Sequence, residues 1–202
     1  MTSKAETKRE NLRRRLIDSA EVAIREGGLR GLKARDVTAR AGCALGGLYN
    51  AVQDLDQLVM LVNSRTLGRL GADLKNAVTA EDTPTETMQA LAATYVEFAL
   101  QNTALWSAIF NHRLPEGAEI PDWHKDEYPV LIAEIIAPLK QLRPDLPPDA
   151  LRLRAQTLFA SVHGVVQLAI HGRFVGVPLS MLKSEVAALV DAMTRGIHLV
   201  KQ

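Results

Sequence analysis

The chain has 202 residues, of which 47% are hydrophobic and 23% are charged, so it is long enough to bury a substantial core. It contains no apolar run long enough to span a membrane, and its basic N terminus lacks the apolar core of a signal peptide. We therefore expect a soluble cytoplasmic protein with no membrane partner. The single cysteine, Cys43, excludes an internal disulfide framework and a metal site built from several thiolates.

Charge is distributed unevenly along the chain. Residues 1–50 contain 11 Lys/Arg and 6 Asp/Glu, a net charge of +5, whereas the remainder contains 13 and 17, a net charge of −4. A short basic segment joined to a mildly acidic body is typical of a polyanion-binding module attached to a regulatory or dimerising domain. A solvated helix surface would give the same charges, so charge alone leaves both interpretations open.

The first fifty residues place apolar side chains at three- and four-residue steps, which predicts three short helices. The first runs from Leu12 to the pair Gly27-Gly28, the second over 34–41 and the third over 45–52. Gly42 lies between the second and the third helix. Because glycine has no Cβ, it can adopt the left-handed conformation that a sharp turn at this position requires.

The rest of the chain predicts longer helices. Asp54 is placed to cap a fourth helix that reaches about residue 78, and Ser180 to cap the last helix, which extends to Val200. The others are expected at 85–102, at 104–112, at 128–142 with a kink at Pro138, and from 148 to about 174. Since no stretch shows strand-like alternation, the sequence predicts an all-α protein.

A helix, a tight turn at a glycine and a second short helix form a helix-turn-helix, whose second helix enters the major groove of DNA. Leu48 is expected to face inward and Tyr49 outward. Gly46 and Gly47 cost the third helix about 1 kcal/mol each. We interpret them as allowing its backbone to approach bases and phosphates, although glycines at a helix start also occur simply to relieve packing.

At these residues the chain resembles the DNA-binding domain of the TetR family of bacterial transcriptional regulators. The matching features are Ala20, the glycine-rich end of the first helix, Val37 before Ala41-Gly42, the run Gly-x-Leu-Tyr at 46–49, and Leu58. Farther along, the segments LFASVHGVVQLAIHGRF and ALWSAIFNHRLPEG are similar to the C-terminal domain of the WHG subfamily. The resemblance covers most of the chain.

The resemblance implies a homodimer of all-helical subunits. Residues 1–54 would form the helix-turn-helix DNA-binding domain, about 55–78 a connecting helix, and 79–202 an effector-binding and dimerisation domain. It also implies a repressor that a small apolar or aromatic effector releases from operator DNA. No catalytic residue, metal site or cofactor is expected, because His163 and His171 share a helix face without a carboxylate to complete a metal site.

Four positions depart from the family pattern. Lys33 and Ala44 stand where a helix-capping hydroxyl is usual, Leu55 where a phosphate-binding lysine is usual, and Val162 where the WHG motif has tryptophan. Lys33 could restore a phosphate contact at the start of the second helix. These departures leave an alternative open: a helical ligand- or protein-binding dimer whose helix-turn-helix has lost specific DNA binding.

Site residues follow from the resemblance and from the residues themselves. By the resemblance, Tyr49 would contact a phosphate. Ala44, Leu45 and Gly46 are the expected base-facing positions. A flexible basic arm at Arg9, Arg13, Arg14 and Arg15 would add affinity without selecting sequence. The predicted DNA-binding residues are Lys33, Arg35, Ala44, Leu45, Gly46, Gly47, Tyr49 and Asn50.

In the C-terminal half, aromatic and histidine side chains suit a mostly apolar effector pocket, although each is also compatible with core packing. The predicted pocket residues are Tyr95, Phe98, Trp106, Phe110, His112, Tyr128 and His163. By the resemblance, the last two helices pair in the dimer, and much of their apolar surface could equally pack within one subunit. The predicted interface residues are Leu158, Val162, Val165, Val166, Ala169, Val186, Leu189, Val190, Met193 and Ile197.

Overall fold

The computed structural model describes residues 4–79, 82–172 and 174–194. All regular structure in these ranges is helical, which confirms the predicted all-α class. The helices in chain order are α1 (Lys4–Gly31), α2 (Ala34–Arg40), α3 (Leu45–Ala51), α4 (Leu55–Asn76), α5 (Pro84–Gln101), α6 (Thr103–Asn111), α7 (Asp122–Lys125), α8 (Val130–Leu142), α9 (Pro148–Ile170) and α10 (Leu182–Thr194). None of the described helices is both long and apolar enough to cross a bilayer.

The largest difference from the predicted boundaries lies at the start of the chain. α1 begins at Lys4 rather than at Leu12, so the basic residues expected to form a flexible arm are helical. Polar side chains three residues apart interact along the start of α1. Arg14 Nη2 donates to Asn11 Oδ1 at 2.9 Å, and Arg13 lies 4.0 Å from Glu10. Near its other end α1 is interrupted at Gly28, where φ is 63° and ψ is −170°.

Smaller differences occur near the C terminus. α7 is a single turn inside a segment expected to be a loop, and α9 ends at Ile170 rather than near Phe174. Ser180 does not cap α10, because the first turn begins after Met181, whose carbonyl accepts from the Glu185 N–H at 3.0 Å. Val200 and the rest of the predicted last helix beyond residue 194 lie outside the described residues.

Side-chain caps fix the starts of two long helices. Asp54 caps α4 as predicted: its Oδ1 accepts from the Gln57 N–H at 2.6 Å, while Gln57 Oε1 accepts from the Gln53 N–H at 2.7 Å. At α5, Glu86 accepts from the hydroxyl and the N–H of Thr83, and these hydrogen bonds lower the pKa of the Glu86 carboxyl. The Glu86 N–H donates in return to Thr83 Oγ1 at 3.3 Å, so both caps are reciprocal and each pairs one first-turn amide.

The described chain divides into two compact units. Unit 1 comprises Met1–Gly68 and Asn102–Glu127, and unit 2 comprises Arg69–Gln101 and Tyr128–Gln202. In unit 1, α1 packs against α2, α3 and α6 around a shared apolar core. Its fully buried side chains include Leu16, Ile24, Val37, Leu48, Leu58 and Leu105.

Unit 2 is built around α5, which packs against α8, α9 and α10. Gln89 Nε2 on α5 donates to the Ala187 carbonyl of α10 at 3.0 Å, and Lys183 forms an ion pair with Glu97. Gly71 permits a close approach of α4 and α8, because a Cβ at this position would overlap Val130 Cγ2. α4 therefore passes α8 with no room for a side chain at this point.

The compact units do not follow the predicted division at 54 and 79. α6 belongs to unit 1 because Leu105 and Ala108 are buried in the same apolar cluster as Leu16 and Ile24. The periodicity of α6 predicts that one of its faces is buried, but not which other helix covers it. The assignment of DNA binding to 1–54 and effector binding to 79–202 remains a prediction.

Candidate nucleic-acid interface and apolar cavity

The turn between α2 and α3 is closed by two backbone hydrogen bonds. The Gly42 N–H donates to the Ala39 carbonyl at 3.1 Å and the Cys43 N–H to the Thr38 carbonyl at 3.0 Å, with Gly42 at φ 67°. This is the Schellman motif, in which the residue after the helix adopts the left-handed conformation. The prediction of a tight turn at Gly42 is confirmed.

α3 presents one side to the core and the other to solvent. Leu48 is fully buried, whereas the neighbouring Tyr49 is 57% exposed and Leu45 is 38% exposed. Ala44, Gly46 and Asn50 are exposed as well, and so are Lys33 and Arg35 on the preceding helix and loop. Apart from Gly47, every residue predicted to contact DNA is thus exposed.

Gly47 is half-buried and faces its own subunit. A Cβ at this position would lie 3.2 Å from Cys43 Sγ, 3.3 Å from Cys43 Cβ and 3.7 Å from Leu12 Cδ2. At Gly46, by contrast, no atom lies within 4 Å of an added Cβ. Close packing inside unit 1 therefore explains Gly47, and only Gly46 is free for the predicted approach of DNA.

The two helices of the motif begin without side-chain caps. Lys33 and Ala44 occupy the N-cap positions of α2 and α3 with extended backbone, and neither makes a side-chain capping hydrogen bond. Leu55, at the start of α4, packs against the unit 1 core. Lys33 and Ala44 thus lie at the helix starts where the family pattern has a capping hydroxyl.

Two carboxylates of unit 1, Asp18 and Glu21, form ion pairs with arginines of the same unit. Glu21 lies 3.0 Å from Arg25 and 3.2 Å from Arg65, and Arg65 also lies 2.6 Å from Asp18. Lys33 and Arg35 form no ion pair with any described residue, and their charges remain available to a polyanion.

A polar cluster joins α4 and α7. Ser64 Oγ lies 2.5 Å from Glu127 Oε2 and 3.4 Å from His124 Nδ1, and this nitrogen lies 3.1 Å from the same Glu127 oxygen. A serine nucleophile requires the hydroxyl at one imidazole nitrogen and the carboxylate at the other. Here both approach Nδ1, so the cluster does not have that arrangement.

Three residues predicted for an effector pocket belong to unit 1 instead. Trp106 is fully buried, with its ring centroid 5.4 Å from that of Phe110. His112 Nε2 lies 2.9 Å from Asp56 Oδ1. These contacts belong to the packing of α6 within unit 1.

Unit 2 contains a cavity of about 40 Å³. Tyr95 is the one residue from the predicted pocket that lines it; Phe98, Tyr128 and His163 also belong to unit 2 but are not part of the lining. Among the other lining residues, Glu134 is the one that carries a charge. The full lining is Leu74, Met88, Leu91, Ala92, Tyr95, Leu131, Glu134, Ile135, Leu158, Phe159, Val162 and Val190.

An aromatic group borders this cavity. The Tyr95 hydroxyl is hydrogen-bonded to His163 Nδ1 at 2.8 Å, and the Phe159 ring stacks on His163 with centroids 5.7 Å apart. Burial lowers the pKa of the His163 imidazole, which favours its neutral form. The sequence predicted Tyr95 and His163 as pocket residues but not Phe159 or Glu134. Two features of the sequence could have indicated these residues. Phe159 lies four residues before His163 and therefore on the same helix face, and Glu134 is an isolated carboxylate in the apolar α8.

Most residues predicted for the dimer interface are buried within their own subunit: Leu158, Val162, Val166, Ala169, Val186 and Val190. Their exposed fractions are at most 7%, so they offer little surface to a second subunit. Val165, Leu189 and Met193 are half-buried, and Ile197 lies outside the described residues. The exposed apolar side chains of this region are instead Leu153, Leu168, Phe174, Val175, Leu179 and Met181.

The fold combines a helix-turn-helix with a helical unit that encloses an apolar cavity. Residues 88–196, more than half of the chain, match the model of the tetracyclin repressor-like C-terminal domain. The chain belongs to the TetR family and is a ligand-responsive transcriptional regulator. Regulators of this family bind operator DNA and small molecules, form dimers and are in general not enzymes. The match does not test the WHG assignment, which remains a prediction.

Solved structures share this fold over nearly the whole chain. A protein of unknown function from Rhodococcus sp. RHA1 is 27% identical, with 92% of this chain and 94% of that chain covered and a TM-score of 0.72. RolR in complex with resorcinol is 20% identical, with 97% and 98% covered and a TM-score of 0.66. FadR from Bacillus subtilis in complex with stearoyl-CoA is 15% identical, with 92% and 99% covered and a TM-score of 0.70. No curated protein matches the chain by sequence.

Proposed function

We propose that this regulator is a cytoplasmic, non-enzymatic repressor that binds operator DNA as a homodimer and is released by a small apolar or aromatic effector. The observation that carries the DNA-binding part is the exposed side of α3, where Tyr49 projects into solvent beside the buried Leu48. Lys33 and Arg35 supply unpaired positive charge next to this surface. α3 enters the major groove, and the phosphate contacts of Tyr49 and Lys33 fix its position.

The apolar cavity of unit 2 is the proposed effector site. Its lining is almost entirely apolar, with the Tyr95 hydroxyl and the Glu134 carboxylate as polar groups, which is the usual composition of a small-molecule site. RolR with resorcinol and FadR with stearoyl-CoA are examples of this fold with bound small molecules. If the protein has two conformations, an effector that binds one of them more tightly increases the population of that conformation. Operator affinity changes as a consequence.

The exposed side of α9 and the segment after it are the proposed dimer surface. Leu153 and Leu168 project from α9, and Phe174 and Val175 are exposed in the segment that follows. A two-fold axis through this surface would present two copies of α3 to a pseudo-palindromic operator, with half-sites about one helical turn or a multiple apart.

The test is fluorescence anisotropy with the DNA that flanks the protein's own gene and scrambled DNA as competitor. Tyr49→Ala should abolish specific binding while the dimer persists. Lys33→Ala should flatten the dependence of log affinity on log salt by about 0.9 for each phosphate that the lysine no longer neutralises. The matched control is Lys140→Ala, an exposed lysine of α8 that should leave the slope unchanged. Specific binding that survives Tyr49→Ala, with a normal salt slope, would contradict this assignment of α3.

Two observations favour the alternative of a helical ligand- or protein-binding dimer without specific DNA binding. Leu55 packs against the core where a cation would otherwise contact phosphate, and α2 and α3 lack side-chain caps. Equal affinity for flanking and scrambled DNA, together with an intact dimer that binds ligand, would support this alternative.

A further inference from the structure

Glu134 is a carboxylate on the wall of an apolar cavity. It lies in α8, is half-buried, and joins the cavity lining together with Leu131 and Ile135 from the same helix. No lysine, arginine or histidine is part of the lining. Among described residues, therefore, nothing positively charged shares the cavity with this side chain.

The Glu134 carboxylate has no hydrogen bond or ion pair with any described residue. Its neighbours one turn away on α8 are Val130, Leu131, Ala137 and Pro138, which offer no side-chain donor. An ionised carboxylate only accepts hydrogen bonds, and partial burial without a partner is unfavourable. A ligand that brings a positively charged hydrogen-bond donor into the cavity would supply the partner that the Glu134 carboxylate lacks.

Aromatic side chains supply the second feature. Tyr95 and Phe159 line the same cavity, and their rings meet edge to face with centroids 5.5 Å apart. Aromatic faces attract cations through the negative potential of the ring, and they also pack well against apolar ligand atoms. A carboxylate and two aromatic rings in one apolar cavity form a favourable environment for an ammonium group on a hydrophobic body.

We propose that the effector of this regulator is a compact apolar molecule that carries one protonated amine, with Glu134 as the charged partner of the amine. The identity of the ligand as an effector rests on the proposed function, whereas binding of the amine does not. A cavity of about 40 Å³ holds roughly three water molecules, so the ligand is small and side chains of the lining move to admit it. A carboxylate or phosphate ligand is disfavoured by repulsion from Glu134.

The direct test compares ligands that differ in charge but little in shape. The probes are benzylamine, phenethylamine and cyclohexylamine, the corresponding alcohols, and benzoate, each titrated at millimolar concentration by methyl-resolved NMR. The amines should bind tightest and benzoate should not bind. Glu134→Gln should weaken the amines about 10-fold to 100-fold, because the hydrogen bond to a charged group is lost, and should leave the alcohols nearly unchanged.

Two further variants locate the site. Glu185→Gln, at an exposed position of α10, is the matched control and should leave every affinity unchanged. Ala92→Leu adds volume to the cavity wall and should weaken all the probes. The proposal is overturned if no amine binds, if alcohols bind as tightly as amines, or if Glu134→Gln weakens both series equally.

Failure of this inference is distinguishable from failure of the proposed function. Operator anisotropy repeated with each probe separates the two. Amine binding that depends on Glu134 but leaves operator affinity unchanged would support the site and contradict its role in release. If only the alcohols release the protein from operator DNA, unit 2 is the effector site but the proposal of an amine effector is overturned.

Discussion

Alanine at Gly46 and alanine at Gly47 add the same methyl group to adjacent positions of α3, yet only the substitution at Gly46 should stabilise the protein. At Gly46 the new Cβ meets no atom within 4 Å, so it gains helix propensity without crowding. Alanine in place of glycine in a helix stabilises by about 0.5–1 kcal/mol. Gly46→Ala should therefore raise the free energy of unfolding by about this amount.

At Gly47 the same gain is offset by contact with Cys43. The new Cβ would lie 3.2 Å from Cys43 Sγ and 3.3 Å from Cys43 Cβ. The sulfur can rotate away, but the Cβ is fixed by the turn that Gly42 closes. Crowding of this kind costs about 1–3 kcal/mol. Gly47→Ala should thus be neutral or destabilising by up to about 2 kcal/mol after the propensity gain is subtracted.

Urea unfolding followed by far-UV circular dichroism measures both changes, provided that the slopes agree among variants. A double-mutant cycle with Cys43→Ala, which removes the sulfur and keeps the Cβ, should recover part of the loss at Gly47. If Gly47→Ala stabilises the protein as much as Gly46→Ala, the packing explanation for Gly47 is wrong. Gly46→Ala also tests the approach to DNA, because it should weaken operator binding while it stabilises the fold.

Three other outcomes are expected. Ala44→Ser places a hydroxyl at the uncapped start of α3, where φ is −70° and ψ is 159°, and should stabilise by about 0.5–2 kcal/mol in urea, whereas Ala39→Ser inside α2 should give no gain. The lowered pKa of His163 means that the unfolded chain takes up this proton first, so stability should fall as pH drops below the ordinary value of 6.5. His163→Gln should flatten the pH dependence of the urea midpoint below pH 6.5. If the variant and the original protein show the same pH dependence, burial of His163 is not the cause of the loss of stability. Leu168→Glu on the exposed side of α9 should shift the sedimentation equilibrium towards monomer, whereas Val22→Glu on α1 should not; a dimer that persists in Leu168→Glu would exclude this surface.

Local patterns in the sequence predicted the helices and the turn. Gly42, Asp54 and the apolar steps around Leu48 specify short-range structure, because caps, turns and helix faces depend on residues within one or two turns of each other. The all-α class followed from these patterns, whereas the TetR family was predicted from the resemblance of the segment around Gly42 and Tyr49 to that family. The helical start of α1 was missed because its side-chain pairs are polar and contribute no apolar periodicity.

Long-range packing was the part that the sequence did not specify. Trp106 and His112 looked suitable for a ligand pocket, but both pack in unit 1, and the cavity has Phe159 and Glu134 in its wall instead. Buried valines of α9 and α10 looked like a dimer surface because apolar residues have the same composition in a core and in an interface. Periodicity identifies a buried face without indicating which helix covers it.

The distribution of tryptophan gives the protein a built-in optical reporter. The chain has 2 tryptophans, and both Trp106 and Trp123 lie in unit 1, whereas the cavity belongs to unit 2 and has no indole in its wall. Trp106 is fully buried and Trp123 is 40% exposed, so a soluble quencher distinguishes their emission. When excitation is restricted to indole absorption, a change in emission on adding a colourless ligand to the cavity reports a response of unit 1. Intrinsic fluorescence therefore measures communication along the chain, without a label and without DNA.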